Sequence, residues 1–420
     1  MDHIPNEILS HILSYLLTDS EKHRLRDDRI DHILPSKNTI EDDFGSWHQL
    51  LETDSIRTAV RHVAIETAPW DYELEDGNDI MSWLDSWFED CHWPEFTSAI
   101  NRICDMTNLN SLTLRFSMFC PSEDYDSVLQ EPTETRQVTL ELVSEALRDR
   151  ESRPGTSTIR ELVLSNLEDT PLPKDLAHNL LRNIDRLHIS CTYAYEHQES
   201  PGAIPVEFNG KDLSFPRLKR LNLDNYIILR QDQFDWVLEQ SSLIDLRLYN
   251  CRIATHCVVD QYDFEYWGVN LNGWKKPADS YEEMNDPNLV SMLNTPHFGQ
   301  LRPGWYMSDL RWSNMFDRIH QHLPLLHNFT FEPVRYGGFM EHYPARPGSD
   351  CMAERYWTCS NGFWSTMWYK PARDRMWKAA CFFDDDMPGT PVSLYTRTEA
   401  ADRQALEKLM EATHKRRDGK

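Results

Sequence analysis

Short stretches of alternating apolar and polar residues recur along the chain. "VRHVAIE" from Val60, "LNSLTLRFSMF" from Leu109, "IRELVLSNL" from Ile159 and "IDRLHISCTYA" from Ile184 are the first four. "LKRLNLDNYII" from Leu218, "LIDLRLYNCRI" from Leu243 and "LHNFTFEPV" from Leu326 complete the set. A period of two places the apolar residues on one face of a strand. Leu187 with Ile189, Leu221 with Leu223, and Leu246 with Leu248 therefore point into a core. The residues between and before them turn to the opposite face: Arg186 and His188, Arg220 and Asn222, Asp245 and Arg247. The segments between strands carry apolar residues at helical spacing instead. These are "FTSAINRICDM", "LELVSEALRD", "DLAHNLLRN", "DQFDWVLEQ" and "WSNMFDRIHQHL". Alternating helix and strand predicts an α/β protein with a parallel sheet.

"LIDLRLYNCRI" fits the leucine-rich-repeat pattern L-x-x-L-x-L-x-x-N/C-x-L at every position, and "LKRLNLDNYII" departs from it at Tyr226. The resemblance implies an irregular leucine-rich-repeat-like α/β solenoid with its parallel sheet on the concave face. One such unit cannot bury its apolar side, whereas a stack can. The steps from Ile159 to Ile184 and from Leu218 to Leu243 approach the usual repeat length. Elsewhere insertions leave the array, notably at 66–95 and 260–311. An ordinary α/β domain with chance L-x-L strands is the alternative. In the first insertion Trp70, Trp83, Trp87 and Trp93 are interleaved with acidic residues. That pattern fits either a helix with a buried Trp face and a solvated acidic face, or a docking site for a basic partner. The second insertion, rich in Tyr, Trp, Gly, Asn and Pro, loops over one rim.

"IPNEILSHILSYL", Ile4 to Leu16, opens the chain with a different pattern. Read as a helix, Ile8, Leu9, Ile12, Leu13 and Leu16 fall within about 140° of arc at about 100° per residue. Pro5 suits the first helical turn, and Glu7 favours its positive end. From periodicity alone this is either a cap on a larger core or a helix offered to a partner. The stretch resembles the first helix of an F-box, whose usual form is Leu-Pro-x-Glu-Ile/Leu before an apolar stripe. Ile4 stands where that family has Leu; Pro5, Glu7, Ile8, Leu9, Ile12, Leu13 and Leu16 match in type and spacing. The resemblance implies that Ile4, Pro5, Ile8, Leu9, Ile12, Leu13 and Leu16 bind the Skp adaptor of a cullin-based ubiquitin ligase. An amphipathic helix in an apolar groove is a standard recognition mode. After Leu17 the chain departs from the F-box pattern. Leu25, Ile30, Ile33 and Leu34 predict a short second helix, and Phe44, Trp47, Leu50 and Leu51 a third.

Beyond Val334 the texture becomes Trp-rich, suiting a cap on the open end of an array, followed by a final helix with Leu406, Leu409 and Met410 on one side. Fungal, Ascomycete-type F-box-like proteins with degenerate repeats have a similar tail. The expected organisation is an F-box-like segment at 1–52, the solenoid at 53–335, and a Trp-rich cap with terminal helix at 336–420.

Composition narrows the partners. Lys and Arg total 43 against 68 Asp and Glu, giving a formal net charge of −25. Long-range repulsion then argues against nucleic acid or an anionic membrane as partner. No apolar run approaches the roughly 18 residues that span a bilayer, and no signal peptide is evident. The nine cysteines are scattered, which fits reduced thiols in the cytoplasm or nucleus.

Chemistry-bearing motifs are missing from the sequence. It contains no G-x-G-x-x-G, Walker loop, G-x-S-x-G, H-E-x-x-H or C-x-x-C. His320 and His322 end a helix on different faces, and Asp384, Asp385 and Asp386 lack a Gly-containing calcium loop. The expectation is a non-enzymatic protein without metal or cofactor. It is read as a substrate receptor of a Skp–cullin–F-box ligase that holds an unknown target on Arg186, His188, Arg220, Asn222, Asp245 and Arg247. The alternative is a leucine-rich-repeat interaction scaffold with no ligase link.

Overall fold

The computed structural model describes residues 40–67, 85–116, 133–167, 180–191, 215–259, 271–275, 304–332, 355–360 and 394–419, with isolated positions between 170 and 213. Its elements run in this order: α1 (Ile40–Leu51), α2 (Asp54–Ala59), β1 (His62–Glu66), α3 (Asp85–Asp90), α4 (Pro94–Asn101), β2 (Ser111–Arg115), α5 (Thr133–Glu151), β3 (Glu161–Ser165), β4 (Arg186–Ser190), β5 (Arg220–Asp224) and β6 (Ile227–Ile228). There follow α6 (Asp235–Leu238), β7 (Asp245–Tyr249), β8 (Arg252–Val259), β9 (Gly304–Met307), α7 (Trp312–His322), β10 (Asn328–Glu332), β11 (Tyr356–Ser360) and α8 (Leu394–Asp418).

All seven alternating stretches are strands. They form one sheet in the order β1-β2-β3-β4-β5-β7-β10, which is also their order along the chain. The pairs β1/β2, β2/β3, β5/β7 and β7/β10 are parallel and in register. The second and fourth residues of each strand face the core, from Val63 and Ile65 to Leu246 and Leu248. The mixed α/β class and the parallel sheet are therefore as the alternation predicts. A second sheet, of order β11-β8-β6 with β9 antiparallel on β8, was not anticipated. The pairing of Val259 with Gly304 closes the base of the insertion that follows Asp260. The described residues fall into two compact units that divide between Leu187 and His188.

In the first unit α1 packs on α4. Phe44 and Leu51 are buried, and the Trp47 Nε1–H donates to the Ala99 carbonyl at 3.1 Å. Phe44, Trp87, Trp93 and Phe96 form an aromatic cluster with ring centroids about 5 to 7 Å apart, the spacing at which such pairs attract. Trp87 and Trp93 are thus core residues; Trp70 and Trp83 lie outside the described residues. Arg150, on α5, is buried and carries no carboxylate partner among the described residues. Its guanidinium instead donates to the carbonyls of Met106, Thr107, Leu109 and Ser157, at 2.7 to 3.0 Å. It holds together the loops that enter β2 and β3.

The second unit contains β5, β7 and β10, with α7 on their core side, where Phe316 meets Phe329 and Phe331. The helix α8 lies on α7 and on the edge strand β10. Together with Tyr356 of β11, it caps both ends of α7. At the start, Ser313 N–H donates to Asp402 Oδ1 at 2.8 Å, and Trp312 N–H to the Tyr356 hydroxyl at 3.1 Å. At the far end, Arg416 donates to the carbonyls of Leu323, Leu326 and His320. First-turn N–H groups and last-turn carbonyls have no partner within their own helix, so these bonds satisfy groups that would otherwise be orphaned. Leu406 and Leu409 of α8 are buried as expected, while Met410 is half-buried.

Three strands are each followed by an asparagine with left-handed backbone: Asn166 (φ 59°), Asn225 (φ 56°) and Asn250 (φ 49°). Asparagine tolerates that region better than most residues. Each side chain also reaches the neighbouring corner. Asn166 Nδ2 donates to Phe116 O, Asn225 Nδ2 to Cys191 O, and Asn250 Nδ2 to Asn225 Oδ1. After Asn225 and Asn250 the chain crosses directly to β6 and β8 of the second sheet. We expect Asn225→Ala to cost about 1–3 kcal/mol in urea unfolding, since it loses both side-chain bonds and the conformational tolerance. Asn225→Gly should recover the backbone part only.

Candidate functional site

The seven strands present their first, third and fifth residues on the face opposite the core. In the first unit this face is largely closed. Ala64, Glu66, Ser111, Thr113 and Ser165 are buried. Glu66 pairs with Arg115, and the His62 ring nitrogens lie 2.7 Å from Ser111 Oγ and 3.4 Å from Thr113 Oγ1. Arg186, the first residue of β4, is about half exposed, with Glu161 and Asp185 no nearer than 3.9 Å. Such contacts are too long for hydrogen bonds.

In the second unit the face is open. Arg220 and Arg247 are exposed, and His188, Asn222, Asp224, Tyr249 and Thr330 half-buried. His188 Nε2 lies 2.7 Å from Asp224 Oδ2. Arg247 Nε donates to Asp245 Oδ1 at a long 3.4 Å. Arg220, in register with Asp245, makes no side-chain hydrogen bond or ion pair among the described residues. Because the strands are parallel, like ends align. Arg220 stands at the start of β5 level with Asp245, Arg247 at the middle of β7 level with Asn222 and Thr330, and Asp224 and Glu332 at the strand ends.

His188, Arg220, Asn222 and Arg247 are thus brought together on this face. Asp245 shares the face but is largely buried, its side chain 12% exposed, and accepts from Arg247. The adaptor-binding positions Ile4, Pro5, Ile8, Leu9, Ile12, Leu13 and Leu16 lie outside the described residues, as do Leu25, Ile30, Ile33 and Leu34 and the triplet Asp384, Asp385 and Asp386. The corner asparagines were overlooked, although "SN", "DN" and "YN" close three strand phrases and signal them.

No group of three His, Cys, Asp or Glu able to hold a metal ion occurs among the described residues. The buried cysteines are structural. The Cys251 Sγ–H donates to the Leu223 carbonyl at 3.2 Å, at the position where the repeat pattern has Asn or Cys. Burial, and secondarily the Asp224 charge, pushes the Cys191 thiol up to about 12, and burial raises Cys251 well above the usual thiol range. Neither supplies thiolate near neutral pH. Among the described residues no helix is long and apolar enough to cross a membrane.

The fold defines a mixed α/β protein whose parallel strands follow chain order and expose a polar, charged face in the second unit. No protein-family model, no curated protein and no solved structure matches the chain.

Proposed function

We propose that the chain is the substrate-recognition (F-box) subunit of a Skp–cullin–F-box ubiquitin ligase. In this reading the parallel strands are an irregular leucine-rich-repeat-like solenoid, and the target protein lies on the open strand face of the second unit. The helix from Ile4 to Leu16 docks on the Skp adaptor, and through it on a cullin. The chain itself performs no chemistry; it brings a target to a ligase that does.

The observation that carries this reading is the opening stripe, Pro5-x-Glu7-Ile8-Leu9 with Ile12, Leu13 and Leu16, placed ahead of strands stacked in chain order. Cys251 at the repeat's N/C position and the asparagine corners support the repeat reading, because both tie one strand's end to its neighbour.

A second reading is a leucine-rich-repeat interaction scaffold without a ligase link. It is favoured by the departure from the F-box pattern after Leu17. It is favoured also by α1, whose Phe44 and Leu51 are buried in the first unit rather than offered to a partner.

Affinity purification of the tagged chain separates the two. Recovery of the Skp adaptor and a cullin, lost on Leu9→Lys with thermal stability unchanged, is the expected result. A fully buried leucine is worth roughly 1.5–3 kcal/mol. A large drop in melting temperature with Leu9→Lys would make that helix internal structure and remove the ligase reading's main support.

A further inference from the structure

The start of β5 carries cations that have no counter-ion among the described residues. Arg217, Lys219 and Arg220 are all exposed, and none makes a side-chain hydrogen bond or ion pair among the described residues. Among the described residues of the second unit, the other exposed Lys and Arg side chains are paired: Lys275 with Asp309, Lys408 with Asp317, Lys415 with Glu411 and Arg417 with Asp418. On the neighbouring strand Arg247 is 58% exposed and held by one long contact to Asp245. On a chain of net charge −25, where acidic groups outnumber basic ones, such a cluster runs against the overall balance.

We propose that Arg217, Lys219, Arg220 and Arg247 form a docking surface for an extended peptide segment rich in Asp and Glu. This rests on the reading of the open strand face as the one that holds the target, and it names the chemistry of that target. The form of the occupant follows from spacing. Arg217 and Lys219 lie in the segment just before β5, and Arg220 opens that strand. Arg247 is the third residue of the adjoining β7, about 4.8 Å away in the pairing direction. The donors are thus spread over several residues and two strands. They suit a run of separate carboxylates better than one phosphate, which needs donors converging on a single group. The class of the occupant follows from charge. A long polyanion such as nucleic acid, or an anionic membrane, would meet the repulsion of the whole chain. A short peptide responds chiefly to charges within the Debye length of about 8 Å in physiological salt.

The test uses the purified full chain and fluorescence anisotropy with a labelled Glu- and Asp-rich decapeptide, its Gln and Asn counterpart, a singly phosphorylated peptide and a single-stranded oligonucleotide. We expect binding of the acidic peptide, weakened at least tenfold by the triple variant Arg217→Gln, Lys219→Gln, Arg220→Gln and weakened further as salt rises. The triple variant Lys275→Gln, Lys415→Gln, Arg417→Gln makes the same change in net charge at paired cations and should leave affinity within twofold. Exposed positions make both variants compatible with folding, checked by matching melting temperatures; Arg220→Glu serves as a second, single-site probe. The proposal is overturned if the acidic peptide does not bind, if its amide counterpart binds as tightly, if both triple variants lose affinity alike, or if the phosphopeptide or oligonucleotide is preferred. Adaptor capture plays no part in this titration, so failure of the ligase reading and failure of this proposal are separately visible.

Discussion

Asp402→Ala is expected to lower the stability of the second unit by about 3–5 kcal/mol, the usual cost of removing one partner of a buried ion pair. Asp402 and Arg355 are both essentially inaccessible, at 0% and 2%, and their contact is 2.8 Å. The carboxylate also accepts from Tyr356 Oη and from the Ser313 N–H. Burial, followed by the Asp402 charge, raises the Tyr356 phenol well above its ordinary range, so it remains a donor. Deleting Asp402 removes the buried carboxylate partner of the Arg355 guanidinium and uncaps α7. A urea titration followed by Trp fluorescence reads the loss. Lys408→Ala, which removes an exposed pair with Asp317, should cost less than about 1 kcal/mol. A comparable loss from both variants would show that the buried network is not what holds α8 in place. Arg355→Met combined with Asp402→Leu should recover much of the stability, because an apolar pair of similar volume avoids the desolvation penalty of two ions.

The second large effect is expected at Arg150. Its side chain donates to four main-chain carbonyls and to Ser157 Oγ. Burial lowers its pKa from the ordinary arginine value, yet the group keeps its proton, as arginine in proteins does. Arg150→Met removes every donor, and each buried carbonyl left unpaired costs about 1–3 kcal/mol. We expect a loss of about 3–5 kcal/mol, at the upper end of single-site effects. Arg150→Lys has three donors in place of five and lacks the planar fork, so it should recover only part of this. Full rescue by lysine would show that charge, rather than the geometry of the fork, is what the loops need.

These two residues also mark the limit of what the sequence reveals. The strands were legible because alternation leaves a visible trace: Leu221 and Leu223, or Leu246 and Leu248, stand between polar neighbours. The helix α8 was legible for the same reason at a different period. Arg150 and Asp402 were not, because each sits in an acidic and basic helix where a buried charge and a solvated one look alike. Their burial is decided by partners far along the chain. The second sheet escaped notice because β6 has two residues and β9 four, too few to display a period. On the open face, alternation correctly placed Arg220, Asn222 and Arg247. It could not anticipate that Asp245 would be buried, since that depends on its cross-strand neighbours Arg220 and Asn328. Arg217 and Lys219 went unremarked because they precede the strand, where period two no longer assigns a face.

The corner asparagines have a bearing on how such a chain can change over generations. A strand of this sheet asks its neighbours for little: two apolar residues facing the core and a turn that ends the strand in register. The segment that returns to the next strand is held by its own buried residues, such as Trp93, Phe96 and Ile100 before β2 or Trp312 and Phe316 before β10, and is otherwise constrained mainly at its ends. Doubling the length of a flexible connection costs only about 0.6 kcal/mol in closure entropy. Insertions that fall outside those buried residues, between Glu66 and Ser111 or between Tyr249 and Asn328, can therefore accumulate without disturbing the register on either side. Sequence similarity between descendants would fade quickly in those returns while the strands stayed aligned. The open face would then be free to acquire new neighbours around an old frame.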